Sequence, residues 1–231
     1  MSKDDLPVLE GMSTKDKVLY AAASLFWEKG YEKTAMVEIA ARAGVNRGSV
    51  FFAVKNKENL LRILVSYVLE SMFSSSHLIV GEVDDPVLNY TVETALQLYM
   101  AESREEVREL AAVAYTLPAT SDLIYRKTAK RLWELFGQYN PGWEEKDFFE
   151  REIASGSIMR GYMARPCDMY FTMERKMRLF LEITLMIYNV PKEKTEEAVK
   201  FLSANDFKDI AEDAIRKMLD VLKVRKIKSD L

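Results

Sequence analysis

The sequence predicts an all-α protein, a small amino-terminal unit of short helices joined to a larger helical domain. Three observations lead there. Residues 34–61, TAMVEIAARAGVNRGSVFFAVKNKENLL, divide at two tight breaks into three helical stretches. Beyond them, apolar residues recur at helical spacing, and Pro118, Asn140-Pro141-Gly142, Pro166, Pro191 and Asn205 punctuate the pattern. No stretch alternates convincingly between apolar and polar as a half-buried strand would.

Taken in order, Ser13 with Asp16 suits the cap of a first helix that runs to Lys29 and stops at Gly30. Val18, Leu19, Ala22, Leu25 and Phe26 form its inner face. Thr34 can cap the next helix and Gly44 can end it, because glycine tolerates the left-handed closing conformation. Ile39, Ala40 and Ala43 face inward, and Ala43-Gly44-Val45 makes the turn. Asn46 and Asn56 can cap the two helices that follow. This is a helix-turn-helix pattern, in which the helix from about Arg47 to Val54 is the one offered to a DNA major groove.

The helix opened by Asn56 is expected to continue through Leu60, Leu64 and Val68 to about Phe73. It leaves the first domain (1–56) and enters the second (57–231) without a flexible linker. Ser74-Ser75-Ser76 and residues 81–86 mark the next break. Further helices are expected at about 87–102, 105–116, 120–138, 144–164, 170–189, 192–203 and 206–226. Proline lacks the helix-interior amide and restricts its predecessor, which gives these boundaries a mechanism.

Gly30-Tyr31, Thr34, Ile39-Ala40, Ala43-Gly44-Val45, Gly48-Ser49, an aromatic at 51, and Lys57-Glu58 with Leu60 together resemble the amino-terminal signature of the tetracycline repressor (TetR) family. The resemblance covers roughly residues 14–63. It implies a homodimeric, ligand-responsive transcriptional regulator, usually released from a palindromic operator by its effector. The chain departs from the family pattern at Phe51, where tyrosine is usual and donates to a phosphate, and at Val54, where phenylalanine is usual. Phe51 and Phe52 are therefore either DNA contacts or core residues. The alternative reading is a helical ligand-binding protein of the same fold that has lost specific DNA binding.

Composition agrees with a globular helical protein: 48% of the 231 residues are hydrophobic and 30% charged. No apolar run reaches the roughly 18 residues of a membrane span; Leu179–Val190 is interrupted by Glu182 and Asn189. The opening MSKDDLPVLEGM lacks a signal-peptide core, and the single Cys167 fits a reducing compartment, so a cytoplasmic protein without membrane partners is expected. The net charge of −3 hides a local excess of base. Between residues 29 and 62, Lys29, Lys33, Arg42, Arg47, Lys55, Lys57 and Arg62 stand against Glu32, Glu38 and Glu58. Such a patch can gain affinity by displacing counterions from phosphates.

Within it, Arg47 can reach a guanine edge or a phosphate, and Gly48 and Ser49 let the helix sit close to the groove. Lys57, in the first turn of a helix, is expected to clamp a phosphate together with Lys55. Thr34 could add a phosphate contact or serve only as a cap.

In the second domain the resemblance implies an effector cavity and a dimer interface. Tyr99, Met100, Tyr115, Tyr125, Met159 and Tyr162, with Trp133, Phe136 and Met163, offer apolar surface with a few polar tips, suited to a hydrophobic or aromatic small molecule. Tyr170, Met173, Met177, Phe180, Leu181, Thr184, Leu185 and Tyr188 form a stripe at spacings of three and four, expected to pair with helix 144–164 across a two-fold axis. No catalytic, metal or cofactor site is expected. His77 is alone, Cys167 has no histidine partner, and the basic tail of Lys223, Arg225, Lys226 and Lys228 suits a helix end.

Overall fold

A computed structural model describes residues 11–80, 85–210 and 213, the side chains of 75 and 77–79 excepted. Among the described residues the chain is all-α. Three helices, α1 (Thr14–Lys29), α2 (Met36–Ala43) and α3 (Arg47–Val54), form the amino-terminal unit. Their ends follow the expected chemistry. Ser13 Oγ accepts the Asp16 amide at 3.1 Å, Asn46 Oδ1 accepts that of Ser49 at 2.8 Å, and Asn56 Oδ1 accepts that of Asn59 at 2.7 Å. Gly44 closes α2 at φ 65°, a left-handed conformation that a side chain would strain.

Thr34 is the exception. Ala35 takes the cap position of α2, and the Glu38 carboxylate reaches back to its amide at 2.8 Å. The Thr34 side chain is buried and donates its hydroxyl to the Gly30 carbonyl at 2.7 Å. It ties the end of α1 to the start of α2.

Val18, Phe26, Ile39, Val50, Val54 and Leu60 fill this unit's core, which continues along α4 to Leu69 and touches Ala114 and Ile124. Helix α4 (Lys57–Val80) is longer than expected and passes straight through the serine run. Ser74 donates to the Ser71 carbonyl at 3.0 Å, and Ser76 donates to Glu93 at 2.8 Å, so these hydroxyls find partners without ending the helix.

Six helices follow: α5 (Pro86–Ser103), α6 (Glu105–Ala114), α7 (Pro118–Phe136), α8 (Glu145–Ala164), α9 (Met173–Ile187) and α10 (Lys192–Ala204). Pro86 and Pro118 lie in first turns, where the missing amide costs nothing, so the break expected at Pro118 is the start of α7 itself. Helix α9 starts later than expected because Asp168 Oδ1 accepts the amides of Tyr170 and Phe171 at 2.8 and 2.9 Å, folding that segment into a turn. Tyr170 is therefore off the stripe and exposed. Of the helix expected at 206–226, residues 207–210 are helical; the rest, apart from residue 213, and the basic tail with it, lie outside the described residues. The side chain of His77 lies outside them too.

The second core gathers Tyr90, Leu96, Phe136, Phe148, Phe180 and Tyr188. It also settles where the α9 stripe points. Met177, Phe180, Leu181 and Thr184 are buried inside the chain itself, and Met173 packs partly against the same core. The expected dimer stripe therefore faces the chain's own interior at Met177, Phe180, Leu181 and Thr184, and only Met173 keeps part of its surface outside.

Candidate nucleic-acid interface and internal cavity

Helix α3 turns Val50 and Val54 inward, and this fixes what it turns outward. Arg47 and Gly48 are exposed and Ser49 is half-buried. Phe51 is 68% exposed and Phe52 91%, so neither belongs to the core. Lys55, exposed and at φ 62°, ends the helix.

Lys57 does not extend into solvent. Its ammonium donates to the carbonyls of Tyr31 at 3.0 Å and Thr34 at 3.2 Å, and lies 4.2 Å from the centre of the Tyr31 ring. The expected phosphate clamp is thus first an internal brace between α4 and the α1–α2 turn. Other bases of the patch are also engaged: Lys29 pairs with Glu38, and Arg42 with Glu28. Arg47, Lys55 and Lys33 remain as exposed bases of this patch.

Behind the unit lies a cavity of about 420 Å³, lined mainly by apolar side chains. Its walls come from α4 (Leu61, Leu64, Val68), α5 (Met100), α6 (Leu110) and, unexpectedly, α1 (Phe26, Trp27). Of the residues expected to hold an effector, Met100, Tyr115 and Met163 line this cavity. Tyr115 and Met159 line a smaller one of about 30 Å³ beside it. Tyr99, Tyr125 and Tyr162 line neither. Tyr99 and Tyr162 pack against the second core, and Tyr125 lies against Tyr115 with ring centres 6.3 Å apart. Phe136 is wholly buried, and Trp133 is half exposed.

Residues 18–64 match the sequence model of the bacterial regulatory proteins of the tetR family. They are the helices whose caps, turn and outward face have just been described. The match is to this amino-terminal unit, about a fifth of the chain. BepR, a repressor of Brucella suis, is 29% identical over 104 residues, which span 42% of this chain and 48% of BepR. YttP, a probable regulator of Bacillus subtilis, is 26% identical over 178 residues, 74% of this chain and 77% of YttP. Two solved structures share the fold. SmeT, repressor of a Stenotrophomonas maltophilia multidrug efflux pump, aligns over 76% of this chain and 90% of its own (TM-score 0.54, 21% identity). RolR in complex with resorcinol aligns over 80% and 92% (TM-score 0.61, 15% identity).

The amino-terminal unit is tied to the second domain at two points beside the cavity, and a third contact ties α4 to α7. Glu109 of α6 accepts the Glu32 amide at 3.4 Å and crowds Gly30, where a Cβ would meet its carboxylate at 2.8 Å. Arg104 lies 5.4 Å from the centre of the Trp27 ring. Glu58 of α4 accepts the Ala119 amide at the start of α7, at 3.0 Å. Sequence reasoning missed the α1 and α4 walls. The signal was available in Trp27, one position beyond the inward face of α1, and in Leu61, Val65 and Val68, which widen the α4 stripe past what one core needs.

Proposed function

We propose that this chain is a cytosolic, ligand-responsive TetR-family repressor that binds a palindromic operator as a homodimer and is released by an apolar small-molecule effector. The observation that carries DNA binding is the outward face of α3. Two aromatic rings held in water on a rigid helix cost solvation unless a partner covers them. Arg47 supplies a hydrogen-bonding contact, while Phe51 and Phe52 offer apolar contact suited to thymine methyl groups.

The effector reading rests on the cavity. Its walls join α1 and α4 to α5 and α6, so an occupant presses on the DNA-binding unit and the second domain together. The partner subunit would sit on the outer faces of α8 and α9, where Ile153 and Met186 are exposed beside the small residues Ala154, Ser157 and Gly161. Two recognition helices then meet one DNA face about 34 Å apart, and changing that separation releases the operator.

The test is selection from random DNA duplexes, followed by gel-shift titration at several salt concentrations. A palindromic consensus with steep salt dependence is expected. Replacing thymine by uracil in the selected site should weaken wild-type binding and leave Phe52→Ala unaffected. Failure to enrich any sequence would instead favour a ligand-binding protein without a specific operator.

A further inference from the structure

Glu152 of α8 is buried and lies on the wall of the 30 Å³ cavity, which shares Gln97 and Tyr115 with the larger one. Its Oε2 accepts hydrogen bonds from Ser155 at 2.5 Å and Tyr188 at 3.1 Å, and those two hydroxyls lie 2.6 Å apart. No basic group is among those that act on it. The arginine on the same wall, Arg131, is committed to Glu93 at 2.6 Å, and Glu93 also accepts from Ser76. Burial pushes the Glu152 carboxyl up to about 7, against the pull of its two hydroxyl partners. A buried carboxylate is normally matched by a cation, and the price of leaving it unmatched is high.

The surroundings favour a cation as the missing partner. Tyr90, Tyr115, Phe73 and Phe180 line the same space and offer ring faces to a positive charge. Gly156 lines it too, packed so closely that a Cβ there would lie 2.8 Å from Tyr125 Cε1 and 3.1 Å from Glu152 Oε1. At about 30 Å³ the cavity admits a group about the size of a water molecule, which an amino group fits and a carboxylate or phosphate does not.

We propose that the effector is an amine, its apolar body in the 420 Å³ cavity and its protonated amino group in the small one against Glu152. This rests on the large cavity being the effector site. Binding requires ionised Glu152, whereas the neighbouring tyrosines 90, 115 and 188 are all raised above their ordinary range and stay neutral near pH 7. Burial also raises Glu93, whose charge is shared with Arg131. An alkylamine, like a lysine side chain at about 10.4, stays protonated throughout. Amine affinity should therefore rise with pH as Glu152 ionises.

The experiment is calorimetric titration of the full chain with 4-phenylbutylamine and with its neutral counterpart, 4-phenylbutan-1-ol, at pH 6 and pH 8. The amine is expected to bind at least tenfold more tightly than the alcohol at pH 8, and its own affinity to fall about tenfold by pH 6, as for a group titrating near 7. Glu152→Gln should bring the two probes level while keeping alcohol binding. Its melting temperature at pH 8 should match or exceed the parent's. A carboxyl raised by folding loses stability as pH climbs from its unfolded value towards 7, and glutamine escapes that loss. Equal binding of amine and alcohol by the parent, with no pH dependence, overturns the proposal and leaves the cavity reading intact. Binding of neither probe overturns both.

Discussion

On α3, Phe51 and Phe52 leave most of their surface to solvent, whereas in the second domain Lys176, Glu93 and Glu152 are each no more than 4% exposed. One region turns rings outward and the other turns charges inward. The inward charges are largely matched within the chain. Lys176 donates to Glu102 at 2.9 Å and to the Arg165 carbonyl at 2.6 Å, pinning the α8–α9 connection to the end of α5, and Arg131 meets Glu93. The α3 rings have no such match among the described residues. The difference separates two recognition problems: an outward face that a macromolecule can cover, and a cavity between helices that a small molecule can enter.

The largest test of this contrast concerns the α9 stripe. Phe180 is 2% exposed within one chain, so Phe180→Asp should abolish the cooperative melt of the second domain; a charge left unpaired in a core costs about 3–5 kcal/mol. Met186→Asp, on the outer face, should leave the melt intact and dissociate the proposed dimer in sedimentation. A folded monomer from Phe180→Asp would return the interface to the stripe.

The same pair of residues shows what was legible from sequence. Periodicity located α9 and its apolar side, yet spacing alone does not say whether that side meets its own chain or a second copy. In the amino-terminal unit the signals are local. Ser13, Gly44, Asn46 and Asn56 each answer a local backbone requirement, so their roles survive unchanged in the structure. The internal contacts of Thr34 and Lys57 were not legible, because their partners, the carbonyls of Gly30, Tyr31 and Thr34, come together only when α1 and α4 pack. Nothing in the sequence around Glu152 marks it as buried, and only the tertiary fold reveals which carboxylate is enclosed.

Lys57 supplies the next test. Its two carbonyl contacts are charge-assisted, and removing them in Lys57→Ala should cost about 2 kcal/mol, which lowers the melting temperature by roughly 4–8 °C. DNA affinity should fall on every sequence as the turn loosens. A variant with unchanged melting and only a shallower salt slope would make Lys57 a phosphate ligand after all.

Phe51→Tyr probes the outward rings. At 68% exposure the added hydroxyl stays in water, so the melting temperature should not change. If the ring edge lies beside a phosphate, the new donor should raise affinity about tenfold, equivalent to about 1.4 kcal/mol. The gain should be alike on selected and random duplexes, because phosphate contacts position rather than specify. No gain on either would place Phe51 away from the backbone.

The smallest expected effect is at Lys55, and it is the cleanest measure of the electrostatic part of binding. This residue ends α3, is exposed, and sits two positions before the braced Lys57. Lys55→Ala removes a charge without touching the core, so melting should hold within about 0.5 kcal/mol. Binding should weaken by a similar factor for all sequences, and the slope of log affinity against log salt should become shallower by about 0.9, as one fewer phosphate is neutralised. Its positive φ adds a control: Lys55→Gly keeps that conformation accessible while removing the same charge. Matching slopes for the alanine and glycine variants assign the effect to charge. A shallower slope for alanine alone would assign it to the backbone at the end of the recognition helix.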